Sequence, residues 1–321
     1  MFGALTLGTC LVAPLVGSTP IRLSRVFDRS VPFADNVDAQ IFFVARLPRV
    51  LAAALVGAAL ASAGAVFQAL LRNPLASADT LGVSGGAALG AIAAITFHAS
   101  FTVFGIPSVP LASLTGSVGA LVVVYALAAA RRRGMAATGL LLAGIALNAF
   151  FSAFVLFVQN LASFADTFRT VRWLMGSLDI GSYAPILGAL PLLAVSGVAM
   201  ASLPRTLDLM SLGGDAAAAR GVDVRRTERV ALLSASLATG AAVSLGGPVS
   251  FIGIVVPHLV RLIVGADHRV VLPASALFGA MFLVGCDILA RTVFSPIELP
   301  VGIVTALIGA PFFLWLLVRR M

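Results

Sequence analysis

Residues 45–91 read ARLPRVLAAALVGAALASAGAVFQALLRNPLASADTLGVSGGAALGA. Two arginines flank a proline, an apolar run follows, and Arg72-Asn73-Pro74 closes it. The run over 50–71 matches the helix of about 20 residues needed to cross a hydrocarbon core. Arginine marks both of its ends, where a guanidinium reaches headgroups and water. Gly57, Ala58, Ala61, Ser62 and Gly64 let another helix approach closely, so this span should pack inside a bundle rather than face lipid. After a short polar link, a glycine-rich apolar run begins at once.

Working outward, apolar segments recur along almost the whole chain. Of 321 residues, 60% are hydrophobic and 11% charged, which excludes a soluble protein with one anchor. The mean hydropathy of +1.07 agrees. The chain reads as an all-α polytopic membrane protein. The net charge of +8 could suit nucleic acid. However, the arginines stand at span ends rather than along one polar face, so membrane orientation explains them better. All basic residues are arginine. Cys10 and Cys286 lie in separate apolar segments and read as small apolar fillers, with no metal-ligand spacing around them. The start, MFGALTLGTCLVAPLVG, lacks a basic leader region and reads as a short first span rather than a cleaved signal.

About ten spans are expected. The first is followed by a polar loop over 18–40, and later spans fall near 50–71, 81–97, 113–130, 138–158, 185–203, 230–245, 271–290 and 301–318. An eighth, short segment is interrupted by Pro248 and Pro257 and ends at Arg261. Residues 160–179 suit a helix lying at the interface. With the N-terminus inside, thirteen arginines, Arg131–Arg133 among them, fall on the inner side and eight on the outer, a positive-inside bias. The segments opening at Arg49 and Arg229 both start Arg-Val and run into Ala/Gly/Ser-rich spans. This points to two four-helix units, about 47–160 and 229–318, of opposite orientation.

Arg46, Arg49 and Arg291 fall together on the outer side. They read either as interfacial arginines or as an electropositive rim for an acidic partner. Asp287 stands one turn before Arg291 and should pair with it. The longest charged loop, 204–229, sets Leu207, Leu209, Met210 and Leu212 before Gly213-Gly214-Asp215, then an alanine run through Ala217, then Arg220-Gly221. Two short helices meeting at a glycine turn fit it, with apolar residues offered to a partner protein. Asn73 and Pro74 precede the third span, which opens on Ser84, Gly85 and Gly86. Close helix packing is the first reading of these five, and contact with a transported ligand is the second. His98, His258 and His268 stand alone. No phosphate-binding loop or nucleophile motif is present, and ionisable groups within the spans are nearly absent. An ion-coupled transporter usually buries carboxylates, so the energy for any transport comes from elsewhere. A membrane scaffold or sensor is the alternative from another class.

Several strings, taken together, resemble one family. They are Arg-Leu-Pro-Arg at 46–49, Arg-Asn-Pro-Leu-Ala at 72–76, Leu-Gly-Val-Ser-Gly-Gly-Ala at 81–87 and Gly-Ile-Val-Val-Pro-His-Leu-Val-Arg at 253–261. Asp-His-Arg at 267–269 and Glu-Leu-Pro-Val-Gly at 298–302 complete the set. The chain resembles the FecCD-type permeases of bacterial ABC importers. The resemblance implies one permease domain over 1–321, working as a homodimer in the inner membrane. It also implies two ATPase subunits that hold the ATP and magnesium, and a periplasmic binding protein that delivers a metal chelate. The permease itself would bind no cofactor. Arg46, Arg49 and Arg291 would meet acidic residues of the binding protein. Leu212, Gly213, Asp215, Ala217, Arg220 and Gly221 would lie in the loop that couples to the ATPase. Ala137 and Thr138 would form the cytoplasmic gate. Siderophore, haem and cobalamin permeases share these strings, and iron-siderophore stands first.

Overall fold

The computed structural model describes residues 1–130 and 137–320, and no side chain of 128–130, 137, 138, 316, 317, 319 or 320. Arg131–Arg133, and the side chains of Ala137 and Thr138, therefore lie outside the described residues.

The main helices are α1 (Phe2–Val12), α2 (Leu47–Leu71), α3 (Val83–Thr96), α4 (Ser108–Ala130), α5 (Ala137–Asn160), α6 (Phe164–Leu174) and α7 (Ala184–Ala201). They continue with α8 (Pro204–Ser211), α9 (Gly214–Ala218), α10 (Val224–Gly246), α11 (Ile252–Val264), α12 (His268–Thr292) and α13 (Val301–Arg320). A two-stranded hairpin, β1 (Thr102–Val103) and β2 (Ile106–Pro107), links α3 to α4. Six helical runs are long and apolar enough to cross a membrane, and four shorter apolar helices accompany them among the described residues.

The 45–71 stretch lies at the centre, as its small residues require. In the spans that contain α2 and α10, 72% and 78% of the apolar window is buried, against 22–28% for α4, α5 and α7. The latter leave Val122, Leu142, Phe150, Phe157, Val195 and Val198 exposed on the surface of the single chain. Helix α2 packs on α10, α11 and α12. Its contact with α12 is backbone against backbone: a Cβ on Gly57 would sit 2.2 Å from the Gly279 carbonyl oxygen. Against α11 the approach is as close, 2.0 Å from a Cβ on Gly64 to the Gly253 oxygen. Helices this near gain dispersion contacts and interhelical hydrogen bonds without a hydrophobic drive, which lipid removes.

Pro257 shows why a proline inside α11 does not end it. Proline has no N–H, so the carbonyl four residues earlier, that of Gly253, lacks an intrahelical donor. Gln68 of α2 reaches across and donates its Nε2 to Gly253 O at 3.0 Å. An unsatisfied carbonyl in an apolar interior costs several kcal/mol, so the amide stands where it is needed.

Other expectations are corrected. The seventh span begins at Val224 rather than 230, because Asp223 caps it, accepting from Arg226 N at 2.9 Å. Arg225, Arg226 and Arg229 ride on its first turns. The loop over 18–40 ends early, since a helical run starts at Val37 with Asn36 accepting from Ala39 N at 3.0 Å and continues through a π-helical stretch, Ile41–Arg46, into α2. Within that loop, the Ser30 hydroxyl and amide both donate to Asp28 and hold its carboxyl below the usual carboxylate range. Helix lengths repeat along the chain. The 25, 14, 23 and 24 residues of α2–α5 are matched by 23, 13, 25 and 20 in α10–α13.

Replacing Gly57 by Val should cost about 1–3 kcal/mol, the range for overpacking, measured as a lower unfolding midpoint in detergent. Gly285→Ala, where an added Cβ meets nothing within 4 Å, should leave the midpoint in place.

Candidate functional site

Two sets of charged side chains stand near opposite ends of the long helices α2 and α12. At one end, Arg46 and Arg49 stand at the start of α2, and Asp287 and Arg291 near the end of α12. Asp287 is fully buried, with Arg49 Nε 2.8 Å from Oδ1 and Arg291 Nε 3.0 Å from Oδ2. Arg49 hydrogen-bonds Oδ1, while Oδ2 has the Arg291 guanidinium at ion-pair distance but accepts no hydrogen bond, Arg291 Nε donating instead to the main-chain O of Asp287 at 3.4 Å. Arg49 also donates Nη1–H to Glu298 Oε2 at 2.5 Å, and that carboxylate, on the loop after α12, is 42% exposed. Arg46 instead donates to main-chain carbonyls of Pro14, Leu15 and Thr19. Gly17 makes room for it, since a Cβ there would lie 2.6 Å from Arg46 Nη2. Arg291 donates to Val16 O at 3.1 Å and Ala13 O at 3.3 Å, so the segment after α1 is tied down by two arginines.

The expected i,i+4 pair of Asp287 and Arg291 is present. Arg46, Arg49 and Arg291 are 6%, 8% and 3% exposed in the single chain, with their guanidinium groups turned to Asp287, Glu298 and main-chain carbonyls. They converge because α2 and α12 run side by side, so residues 238 apart in sequence meet. The exposed arginines of this end are others, Arg22, Arg25, Arg29, Arg169 and Arg172. Sequence reasoning missed Glu298 as part of the site, although it falls in the Glu-Leu-Pro-Val-Gly string. A recess of about 290 Å³ opens beside it, lined by Arg49, Arg172, Asp179, Phe168, Met175 and Glu298. Its wall is α6, capped by Ser163, which accepts from Asp166 N at 3.2 Å.

At the other end, residues 204–223 form α8 and α9, as the glycine spacing predicts. Leu207 and Met210 are buried beneath α8, while Leu212 is 61% exposed. Gly213 at φ +117° and Gly221 at φ +82° bracket α9, each with open space where a side chain would go. Of the loop residues singled out, Ala217 is buried, and Leu212, Asp215, Arg220 and Gly221 are exposed around it. Asp208 accepts from both the backbone N of His268 (3.1 Å) and its Nδ1 (2.5 Å). Arg261 donates to Gln68 Oε1 nearby.

Of the five residues before and at the third span, Asn73 closes a local turn by accepting from Leu75 N at 2.9 Å, and Pro74 is exposed. Ser84 is buried. Gly86 lies against α4, where a Cβ would meet Gly116 O at 2.6 Å, and Gly85 faces Asn148 and Phe151 of α5. Among the described residues no group of three His, Cys, Asp or Glu side chains could hold a metal.

With this geometry in hand, comparison with known proteins is direct. The FecCD transport family matches residues 5–319. The chain is 41% identical to the cobalamin import system permease protein BtuC of Halobacterium salinarum, over 99% of this chain and 84% of that one. It is 42% identical to the Fe(3+) dicitrate transport system permease protein FecD of Escherichia coli, over 85% of this chain and 84% of the relative. Against the hemin transport system permease protein HmuU of Yersinia pestis it is 40% identical, over 86% and 82%. A solved structure described as an inward-facing conformation of a metal-chelate type ABC transporter superposes with a TM-score of 0.84 at 33% identity, covering 100% of this chain and 98% of the other. The chain belongs to the FecCD transport family. It is a multi-pass ABC importer permease, of a family whose ATPase is a separate subunit.

Asp287→Ala would leave Arg49 and Arg291 buried without their shared carboxylate. Loss of one partner of a buried ion pair costs about 3–5 kcal/mol, to be read from unfolding in detergent. The double change Asp287→Ala with Arg291→Ala should cost less than the two single losses added, because it removes one orphaned charge along with its partner.

Proposed function

We propose that this chain forms half of a homodimeric conduit in a bacterial inner membrane and imports an iron-siderophore or a related metal chelate. A periplasmic binding protein delivers the chelate at the arginine end. Two ATPase subunits, which hold ATP and magnesium, act on the loop at the other end. What carries the reading is the likeness over the full chain to a metal-chelate type transporter. The two sets of charged side chains near opposite ends of α2 and α12 support it. The relatives named for cobalamin and hemin keep those two chelates as the second reading.

The chemistry of the chain suits such a ligand. A large chelate shields its own metal, so the conduit needs no metal ligands, only small apolar residues and room to move. Alternating access follows: ATP-driven movement of the loop opens the path to one side and then the other. The two runs of long, short, long and long helices are the inverted units, related about an axis in the membrane plane. Ala137 and Thr138, at the start of α5, are the proposed gate, and the segment from Asn73 through Gly86 borders the path. In docking, a carboxylate of the binding protein reaches Arg49 at the place Glu298 marks by being half exposed. Arg46 and Arg291 act behind it, holding the segment on which the partner rests.

Proteoliposomes holding the permease, its ATPase and its binding protein should accumulate an iron-siderophore when ATP is enclosed. Absence of ATP-dependent uptake of siderophore, haemin and cobalamin alike would remove the transport reading. In the same vesicles, Gly221→Val should lower uptake about tenfold while hydrolysis continues, because a β-branched residue in the left-handed region costs roughly 1–2 kcal/mol. Gly221→Asn, which tolerates that conformation, should keep most of the uptake.

A further inference from the structure

We propose that α2 and α12 form one lever that joins the loop over 204–223 to the buried arginine network, and that Asp208 and His268 are its lower joint. This rests on the reading of that loop as the ATPase contact.

The first free amides of a helix need acceptors. At the start of α12 two carboxylates supply them. Asp267, in the helix's own cap position, accepts from Arg269 N at 2.8 Å. Asp208, which belongs to α8, accepts from His268 N at 3.1 Å. The loop thus provides part of the cap of a helix it is not connected to in sequence. The same oxygen of Asp208 takes the His268 ring at 2.5 Å, so Nδ1 carries the proton and donates. The His268 side chain is 8% exposed, and its Nε2 is buried with no hydrogen-bond partner among the described residues. The imidazole is therefore held by Asp208 alone on its polar edges.

The two helices of the loop differ in how they are held. Helix α8 packs on α12, α2 and α10, with Leu207 and Met210 buried beneath it. Helix α9 lies between two glycines of positive φ and packs on α8 and α10. So α9, with Asp215 exposed, is the surface a partner can push, and α8 is the element that passes the push inward.

What α8 pushes is stiff. Helices α2 and α12 touch backbone to backbone at Gly57 and Gly279, and at their far ends Arg49 and Asp287 lock them together. Packed helices transmit displacement because close-packed interiors do not compress. From His268 to Asp287 the helix rises roughly 28 Å. At that far end lie Arg49, Glu298 and the recess beside them. Asp208 and His268 are positioning residues: they touch no substrate, and act by keeping the loop and the lever in step.

The test uses the reconstituted permease with its ATPase and binding protein, with spin labels at exposed Leu212 on the loop and exposed Ile297 at the arginine end. In the parent complex ATP should change the distances between paired labels at both sites. In Asp208→Ala the change at 212 should persist and that at 297 should vanish, with uptake per ATP lowered about tenfold, the worth of a hydrogen bond to a charged group. Asp208→Asn keeps an acceptor over the amide and should restore most of the response at 297. Should Asp208→Ala fail to assemble, His268→Ala, which retains the backbone bond, carries the same comparison and should weaken the response at 297. An unchanged response at 297 in these variants, with 212 still moving, overturns the lever alone. No response at 212 in the parent complex overturns the loop reading and the lever with it.

Discussion

One buried carboxylate organises the arginine end of this permease. Asp287 is fully enclosed and ionic contact with Arg49 and Arg291 uses both of its oxygens. A lone charge in that setting would be costly by several kcal/mol. The surrounding structure has to hold three helix segments in register to keep the charges matched: the start of α2, the last turns of α12 and the stretch after α1. The remaining donors of Arg46 and Arg291 are absorbed by main-chain carbonyls, which binds that stretch to the bundle. Specificity of arrangement, more than net stability, is what such a network contributes.

The same economy governs the apolar middle. Helix pairs there approach until backbones touch, at Gly57 with Gly279 and Gly64 with Gly253. The polar group that appears between them, Gln68, answers the one carbonyl that Pro257 leaves open. The glycine-bracketed loop presents a short helix near one end of α2 and α12. At the other, Glu298 and the recess beside Arg49 leave a partly open polar edge on an otherwise closed network.

The amino-acid sequence by itself determined that the chain is all-α and crosses the membrane many times. Hydropathy and span length are local properties that no tertiary contact can reverse. It also marked the central helix through its small residues, the pair of Asp287 and Arg291 through their spacing, and the two short loop helices through Gly213 and Gly221. Helix starts were less legible at 37 and 224, where Asn36 and Asp223 cap polar residues into helices that hydropathy assigns to loops. Only the tertiary structure decided that Arg46, Arg49 and Arg291 turn to Asp287 and main-chain carbonyls, that Glu298 joins them, and that Asp208 caps a helix 60 residues away. The reason is physical. Whether an arginine reaches water or a buried carboxylate depends on which helix lies beside it, and that neighbour is chosen by close packing between segments far apart in the chain.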